Sequence, residues 1–373
     1  MPAIYVHMPF CKQKCAYCDF NSHPGLDAVH GAYIDALVSE IRGAAAHFNT
    51  TSTSTIYIGG GTPTLLAPEQ IGRVLGAIKD NFTVVSDAEI SIEANPETVT
   101  RENLVVLRDA GINRLSMGFQ SLDDDLLELL GRKHTAVLAV EAFKAARSAG
   151  FENIGIDLIF GIPGQSLANW ALTLEQAIAL DPEHLSCYGL TVEAGTALAR
   201  AIDESAIASP DEDLQADMLL YTMDSLYESG YEHYEISNYA KPGFACKHNL
   251  TYWDGGDYLG FGAGAHSKAG RVRFSNVAEP AKYIESAGGD TRIAESIKQT
   301  VADEMSEAMF LGLRKLDGVD PEKFHTRFGV TVDSVFGEEI KDLVGLGLLV
   351  RNTNLRLTPK GVLLGNEVFS RFV

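Results

Sequence analysis

Cysteine is scarce in this chain and unevenly placed: of five residues, Cys11, Cys15 and Cys18 share one short loop, whereas Cys187 and Cys246 stand far apart. An odd number arranged in this way excludes a disulfide framework and suits a reducing compartment. Positive charge is also in deficit, with 30 Lys and Arg against 50 Asp and Glu. The resulting net charge of -20 opposes nonspecific attraction to nucleic acid or anionic lipid, so nucleic acid is not an expected partner. No apolar run approaches the roughly 20 residues that cross a bilayer. The opening Met1-Pro2-Ala3-Ile4 lacks the basic start and apolar core of a secretory signal, and a cytoplasmic location is expected. Two further motifs are missing: a second C-x2-C pair, on which a four-ligand zinc site usually draws, and any C-x-x-C-H for covalent heme attachment.

What is present is Tyr5-Val6-His7-Met8-Pro9-Phe10-Cys11-Lys12-Gln13-Lys14-Cys15-Ala16-Tyr17-Cys18, three thiols spaced C-x3-C-x2-C after a short apolar strand. Three readings compete for it: inert core thiols, a zinc scaffold and an iron-sulfur site. Lys12 and Lys14 make the loop solvated and basic, which favours thiolates over buried thiols. Three thiolates can hold three corners of an iron-sulfur cube and leave the fourth iron open to another ligand.

At 373 residues the chain exceeds the usual single core, and one large α/β barrel with a smaller appended domain is the natural organisation. Strand-like runs at 4–8, 55–58, 89–93, 114–119, 153–160 and 185–190 alternate with helical periodicity at 33–48, 69–79, 101–110, 137–149 and 170–180. Such βα units close into an open barrel or lie as a doubly wound sheet, and either gathers functional groups at the carboxyl ends of its strands. The cysteine loop, Gly59-Gly60-Gly61-Thr62-Pro63, Glu93-Ala94-Asn95-Pro96, Gly118-Phe119-Gln120-Ser121 and Gly161-Ile162-Pro163-Gly164 all fall there. The glycine run lets backbone N–H groups approach a bound carboxylate or amine, although a plain tight turn has the same composition. The Ser/Thr run at 50–55 reads as a surface loop, and the glycine-rich stretch 255–266 as a packed loop beside a second ligand site. From about residue 297, three helical segments and a hairpin resemble a winged-helix module. Ten Lys and Arg against eleven Asp and Glu from Lys298 onward leave it no nucleic-acid footprint, so a lid or docking role is expected.

The cysteine loop with Tyr17 before its last thiol, the glycine-rich loop and the acidic strand end at Glu93 resemble the radical S-adenosylmethionine superfamily. Tyr5-x-His7-x-Pro9-Phe10-Cys11, Gly59 to Thr64, Gly118-Phe119-Gln120-Ser121, Arg132 and Asp157 to Gly164 resemble, more narrowly, oxygen-independent coproporphyrinogen III oxidase and its relatives. The resemblance covers nearly the whole chain. It implies an α/β fold: a partial (β/α)6 TIM-like barrel over 1–235, a linking and heme-site segment over 236–296, and a C-terminal helical, winged-helix-like domain over 297–373. It further implies a [4Fe-4S] cluster on Cys11, Cys15 and Cys18, with S-adenosylmethionine on the open iron. Tyr5, Tyr17, Gly60, Gly61, Thr62 and Glu93 would then line the cosubstrate. Gln120, Arg132 and Asp157 match positions that bind a second cosubstrate molecule in the oxidase, while Arg132 with Lys133 reads equally well as a solvated helix-end pair.

One departure redirects the functional expectation. Where the oxidase places a fourth cysteine this chain has Phe20, and His248-Asn249-Leu250-Thr251-Tyr252-Trp253 matches the H-N-x-x-Y-W signature of radical S-adenosylmethionine heme chaperones. That resemblance implies a protein that binds heme and transfers it to an acceptor, such as a respiratory and membrane-associated heme protein, with an electron donor for the cluster. The alternative is the oxidase itself, a radical decarboxylation in porphyrin biosynthesis. His248 would be the heme ligand, walled by Tyr252, Trp253, Tyr258 and Phe261, with Cys246 as a rival ligand. The same imidazole also reads as a hydrogen-bonded structural histidine.

Overall fold

Six strands run in chain order through the computed structural model, which describes residues 1–47, 52–286 and 289–373. They are β1 (Ala3–Met8), β2 (Ser52–Gly60), β3 (Thr83–Ala94), β4 (Arg114–Gln120), β5 (Ile154–Phe160) and β6 (His184–Gly189). All pair in parallel, and each neighbour in the sheet is the next in sequence. Every crossover therefore steps the same way, the winding of a barrel rather than of a doubly wound sheet with its reversal point. The result is the expected partial (β/α)6 barrel. Ile4, Val6, Ile56, Ile58, Ile92, Leu115, Met117, Ile154 and Ile156 are buried beneath the outer helices. Those helices (His30–His47, Pro68–Asn81, Arg101–Asp109, Ala136–Ser148 and Leu167–Ala179) match the periodic segments. Thr100, Thr135 and Ser166 cap three of them by accepting backbone N–H groups of the first turn.

Two loop expectations change. Residues 50 and 51 of the Ser/Thr run lie outside the described residues, but Ser52 to Thr55 opens β2, and Thr53 and Thr55 are buried. Their hydroxyls are satisfied inside: Thr53 donates to the Thr55 carbonyl at 3.1 Å, and Thr55 meets His248. Within the glycine-rich stretch, Tyr258–Phe261 is a seventh parallel strand, beside β1. Glycine is needed there for contact rather than for a loop, since a Cβ at Gly260 would lie 2.1 Å from the His266 carbonyl oxygen. His266–Ala269, Val272–Asn276 and Ile293–Lys298 continue outward as antiparallel strands, while Asn238–Ala240 and Glu232–Glu235 extend the opposite flank beyond β6. Residues 232–298 thus build both flanks of a twelve-stranded sheet.

This topology has a consequence for the H-N-x-x-Y-W segment. Asn238–Ala240 lies beyond β6 and Tyr258–Phe261 beyond β1, so the connecting helix Lys247–Trp253 crosses the amino end of the barrel. It forms a floor, held by the Glu89 carboxylate, which accepts the Lys247 and His248 N–H groups at 3.1 Å each.

The C-terminal part has its own core, with Met309, Leu313, Phe324, Ile340, Leu357 and Phe372 buried between Val301–Gly312, Pro321–Phe328, Val332–Gly345 and the hairpin Leu349–Arg351/Leu355–Leu357. It docks under the floor. The Arg314 guanidinium lies 4.4 Å from the Trp253 ring centroid, and Lys315 pairs with Asp254 at 2.6 Å. The expected lid is therefore a base, on the side away from the cysteine loop.

Candidate cofactor and ligand site

At the carboxyl ends of β1 to β6 a cavity of about 400 Å³ opens, lined by the cysteine loop at its mouth and reaching the first residues of β4 and β6 at its depth. Cys11, Cys15 and Cys18 all face it, each partly exposed. Lys14 does not serve the thiols, because its ammonium donates to the Phe20 carbonyl at 3.1 Å. Burial pushes the Cys11 and Cys18 thiols up, and the cation that reaches the loop is Arg132, whose Nη1 lies 3.6 Å from Cys15 Sγ. Arg132 is no solvated helix-end residue: its Nη2 donates to Asn95 Oδ1 and to the Gly118 carbonyl, both at 2.7 Å. Cys11 Sγ lies 3.6 Å from Thr62 Oγ1. Three accessible thiols on one loop, with a guanidinium and a hydroxyl directed at them, suit three thiolates on separate irons. Cys187 and Cys246 are buried, and Cys246 Sγ is engaged with Glu89 at 3.5 Å.

Opposite the thiols, the glycine loop brings backbone close to the cavity. A Cβ on Gly61 would lie 2.4 Å from the Phe10 carbonyl oxygen, and Gly60, at φ 113°, would drive one into the His7 ring. Glu93 lies behind this loop, accepting Gly60 N–H and the Tyr57 hydroxyl at 3.0 Å each. Burial raises its carboxyl to about 7, opposed by those hydrogen bonds. A carboxyl poised there gains its charge most readily beside a cation such as an ammonium or sulfonium group. Gln120 takes a left-handed backbone conformation, φ 67°, where the β4–β5 register shifts, and faces the cavity. Asp157 accepts Ser186 Oγ at 2.6 Å and Ser116 Oγ at 3.1 and 3.2 Å.

Tyr17, Gly60, Gly61, Thr62, Glu93, Gln120, Arg132 and Asp157 are thus brought together with the three cysteines. Tyr5 and His248 are not. The Tyr5 hydroxyl bonds His7 Nδ1 at 3.0 Å, away from the cavity lining. His248 is 1% exposed, with Nδ1 against Thr55 Oγ1 at 3.1 Å and Nε2 against the Tyr252 hydroxyl at 2.9 Å. Burial depresses its pKa to about 3. In this conformation neither ring nitrogen is free for iron. Nor do its neighbours form an open wall, since Phe261 is buried in the core and Trp253 lies beneath Arg314. Tyr57, Arg114 and His184 also line the cavity and were not among the expected site residues. The signal was available for Arg114: Arg114, Ser116, Gly118 and Gln120 alternate along β4 and share its inward face.

Comparison with known proteins identifies the family and the fold. Residues 5–177 match the Radical SAM superfamily and residues 299–364 the HemN C-terminal domain. The chain is similar to the heme chaperone HemW of Bacillus subtilis, 40% identical over 376 residues that cover 100% of this chain and 99% of that protein. It is 35% identical to the heme chaperone HemW of Escherichia coli over 379 residues, 100% of this chain and 98% of the relative. Among solved structures, Escherichia coli coproporphyrinogen III oxidase (HemN), a radical SAM enzyme, superposes with a TM-score of 0.87 at 28% identity, covering 100% of this chain and 90% of its own. With the barrel, the three-cysteine loop and full-length identity in agreement, the chain belongs to the heme chaperone HemW family of radical SAM proteins.

Proposed function

We propose that this protein is a heme chaperone that carries a [4Fe-4S] cluster and S-adenosylmethionine in its barrel cavity, binds heme and passes it to an acceptor protein. The observation that carries the reading is end-to-end identity of 35% to 40% with bacterial proteins named heme chaperones. Phe20 agrees with it: the side chain standing where the oxidase has a fourth cysteine is 62% exposed at the rim of the cavity.

Cys11, Cys15 and Cys18 would hold the cluster, and the cluster with its cosubstrate supplies one-electron chemistry at a sulfonium. The protein's own contribution is positioning. Arg132 bridges the cysteine loop and β4 and directs an N–H toward Cys15, which steadies negative charge on sulfur. Glu93 would receive the cationic and hydroxyl groups of the cosubstrate, since the N–H groups of Gly60, Gly61 and Thr62 are already donated to Glu93, Met8 and Phe10. Gln120, Asp157 and Tyr17 close the remaining walls.

We place this chain in the cytoplasm, with a separate electron donor for its cluster, and the acceptor we propose is a heme protein of the respiratory, membrane-associated kind. No helix among the described residues is long and apolar enough to cross a membrane. Iron ligation by His248 would require the floor helix to open. The decisive assay gives the anaerobically reconstituted protein heme and an apo-acceptor, and in parallel coproporphyrinogen III with reductant and S-adenosylmethionine. Heme transfer without protoporphyrinogen is expected, and turnover of coproporphyrinogen would overturn the reading. A heme titration of His248→Ala settles the ligand: a shifted Soret band assigns His248 to iron, and an unchanged one leaves it in the floor.

A further inference from the structure

The deep end of the cavity carries features that cluster and cosubstrate binding leave unused. Arg114, the first residue of β4, is 1% exposed, and its Nε and Nη1 have no hydrogen-bond partner within the protein. Arg114 forms no salt bridge among the described residues; the Glu89, Glu93 and Asp157 carboxylates act on its charge from beyond contact, and their oxygens take other donors. Glu89 accepts the floor helix N–H groups, Asp157 accepts Ser116 and Ser186, and Glu93 accepts Tyr57 and Gly60.

His184, the first residue of β6, is also 1% exposed, and its Nδ1 is unpartnered. Its Nε2 lies 2.7 Å from the Tyr234 hydroxyl, which accepts the Cys246 N–H at 3.3 Å. With that N–H on its oxygen, we assign the Tyr234 hydroxyl as the donor to Nε2. The neutral imidazole then carries its hydrogen on Nδ1, as a donor.

Gly155 lies between the two. In the sheet it pairs with His184 on one side and Ser116 on the other. A Cβ built on it would lie 3.4 Å from His184 Nδ1 and 3.6 Å from Arg114 Nη2. The Arg114 guanidinium, through Nη2, and His184 Nδ1 both border the space that one missing side chain leaves open.

We infer that this inner end of the barrel is an anion subsite, in which Arg114 and His184, over the bare face of Gly155, hold one carboxylate of a ligand lying inside the barrel. A guanidinium takes a carboxylate through two parallel N–H bonds, and a dry site strengthens them. No carboxylate touches the buried guanidinium, and one arriving in contact would offset more of its desolvation than the more distant Glu89, Glu93 and Asp157 do. The carboxylate belongs either to a heme propionate, in which case the inference rests on the heme-chaperone reading, or to a small free acid with the same chemistry.

The test uses the anaerobically reconstituted full chain, with heme, heme dimethyl ester and sodium propionate as probes. Gly155→Ala fills the cradle with a methyl group at ordinary van der Waals distances in an extended strand, so it folds and assembles its cluster normally. Arg114→Lys removes the paired donors. For a propionate arm, wild type binds heme at least tenfold more tightly than the ester, and both variants lose that preference. For a small acid, esterification changes nothing, but millimolar propionate raises the melting temperature of wild type and not of Gly155→Ala. If heme in either form fails to bind while the propionate shift persists, the chaperone reading falls and the subsite stands. Indifference to esterification, together with no propionate shift or an equal one in Gly155→Ala, overturns the subsite.

Discussion

Glu93 illustrates how single residues set the behaviour of this cavity. Its carboxyl is raised by burial to about 7 from an ordinary value of 4.5, so between those limits the folded protein binds more protons than the unfolded chain. Its contribution to stability therefore falls as pH rises through that window. Relative to Glu93→Gln, cluster-free wild type should lose on the order of 2 to 3 kcal/mol between about pH 5 and pH 8, measured by denaturant unfolding. A parallel pH dependence of the two proteins would remove this role. Binding of the cationic cosubstrate should weaken as pH drops below 7 in wild type and not in the variant. At the thiols, replacing Cys11, Cys15 or Cys18 singly with serine should abolish iron retention, whereas Cys187→Ser should leave the iron content unchanged. Much of this residue-level chemistry was legible in the sequence, because the C-x3-C-x2-C loop and the glycine run are local patterns. The surroundings of His248 were not legible: its partner Thr55 is distant in the chain, and no local pattern reveals that both nitrogens are engaged.

Among the elements, the strands β1 to β6 were readable because their outward residues form near-continuous apolar runs. The floor helix and the seventh strand were not. Glycine weakens a strand pattern, and the demand for Gly260 comes from a neighbouring backbone that only the folded sheet supplies. Arg114 was hidden likewise, since a lone arginine opening a strand looks like a solvated edge until the alternation is followed inward. The floor helix Lys247–Trp253 depends on Glu89, which takes two of its first N–H groups. Glu89→Ala should cost roughly 1 to 3 kcal/mol and speed amide exchange across 247–253. Exchange unchanged in that helix would show that the floor is held by other contacts.

For the whole molecule, the C-terminal module acts as a foundation. Its Arg314 spans Trp253 of the floor and Phe369 of its own last helix, and the Arg314 carbonyl accepts the Ile236 N–H at 3.1 Å. Arg314→Ala should lower the melting temperature through loss of about 1 to 2 kcal/mol of cation–π contact and packing, without altering the thiols at the far end. The net charge of -20 directs partner choice away from polyanions. One assembly is central: a [4Fe-4S] cluster that Cys11, Cys15 and Cys18 would hold in the cavity they share with Glu93 and the glycine loop. Electron paramagnetic resonance of the reduced, anaerobically reconstituted protein, recorded with and without S-adenosylmethionine, tests it most directly. The account predicts about four irons per chain and a cluster signal whose g-values move when the cosubstrate is added. A protein that stays iron-free after reconstitution, or a cluster signal indifferent to the cosubstrate, would contradict it.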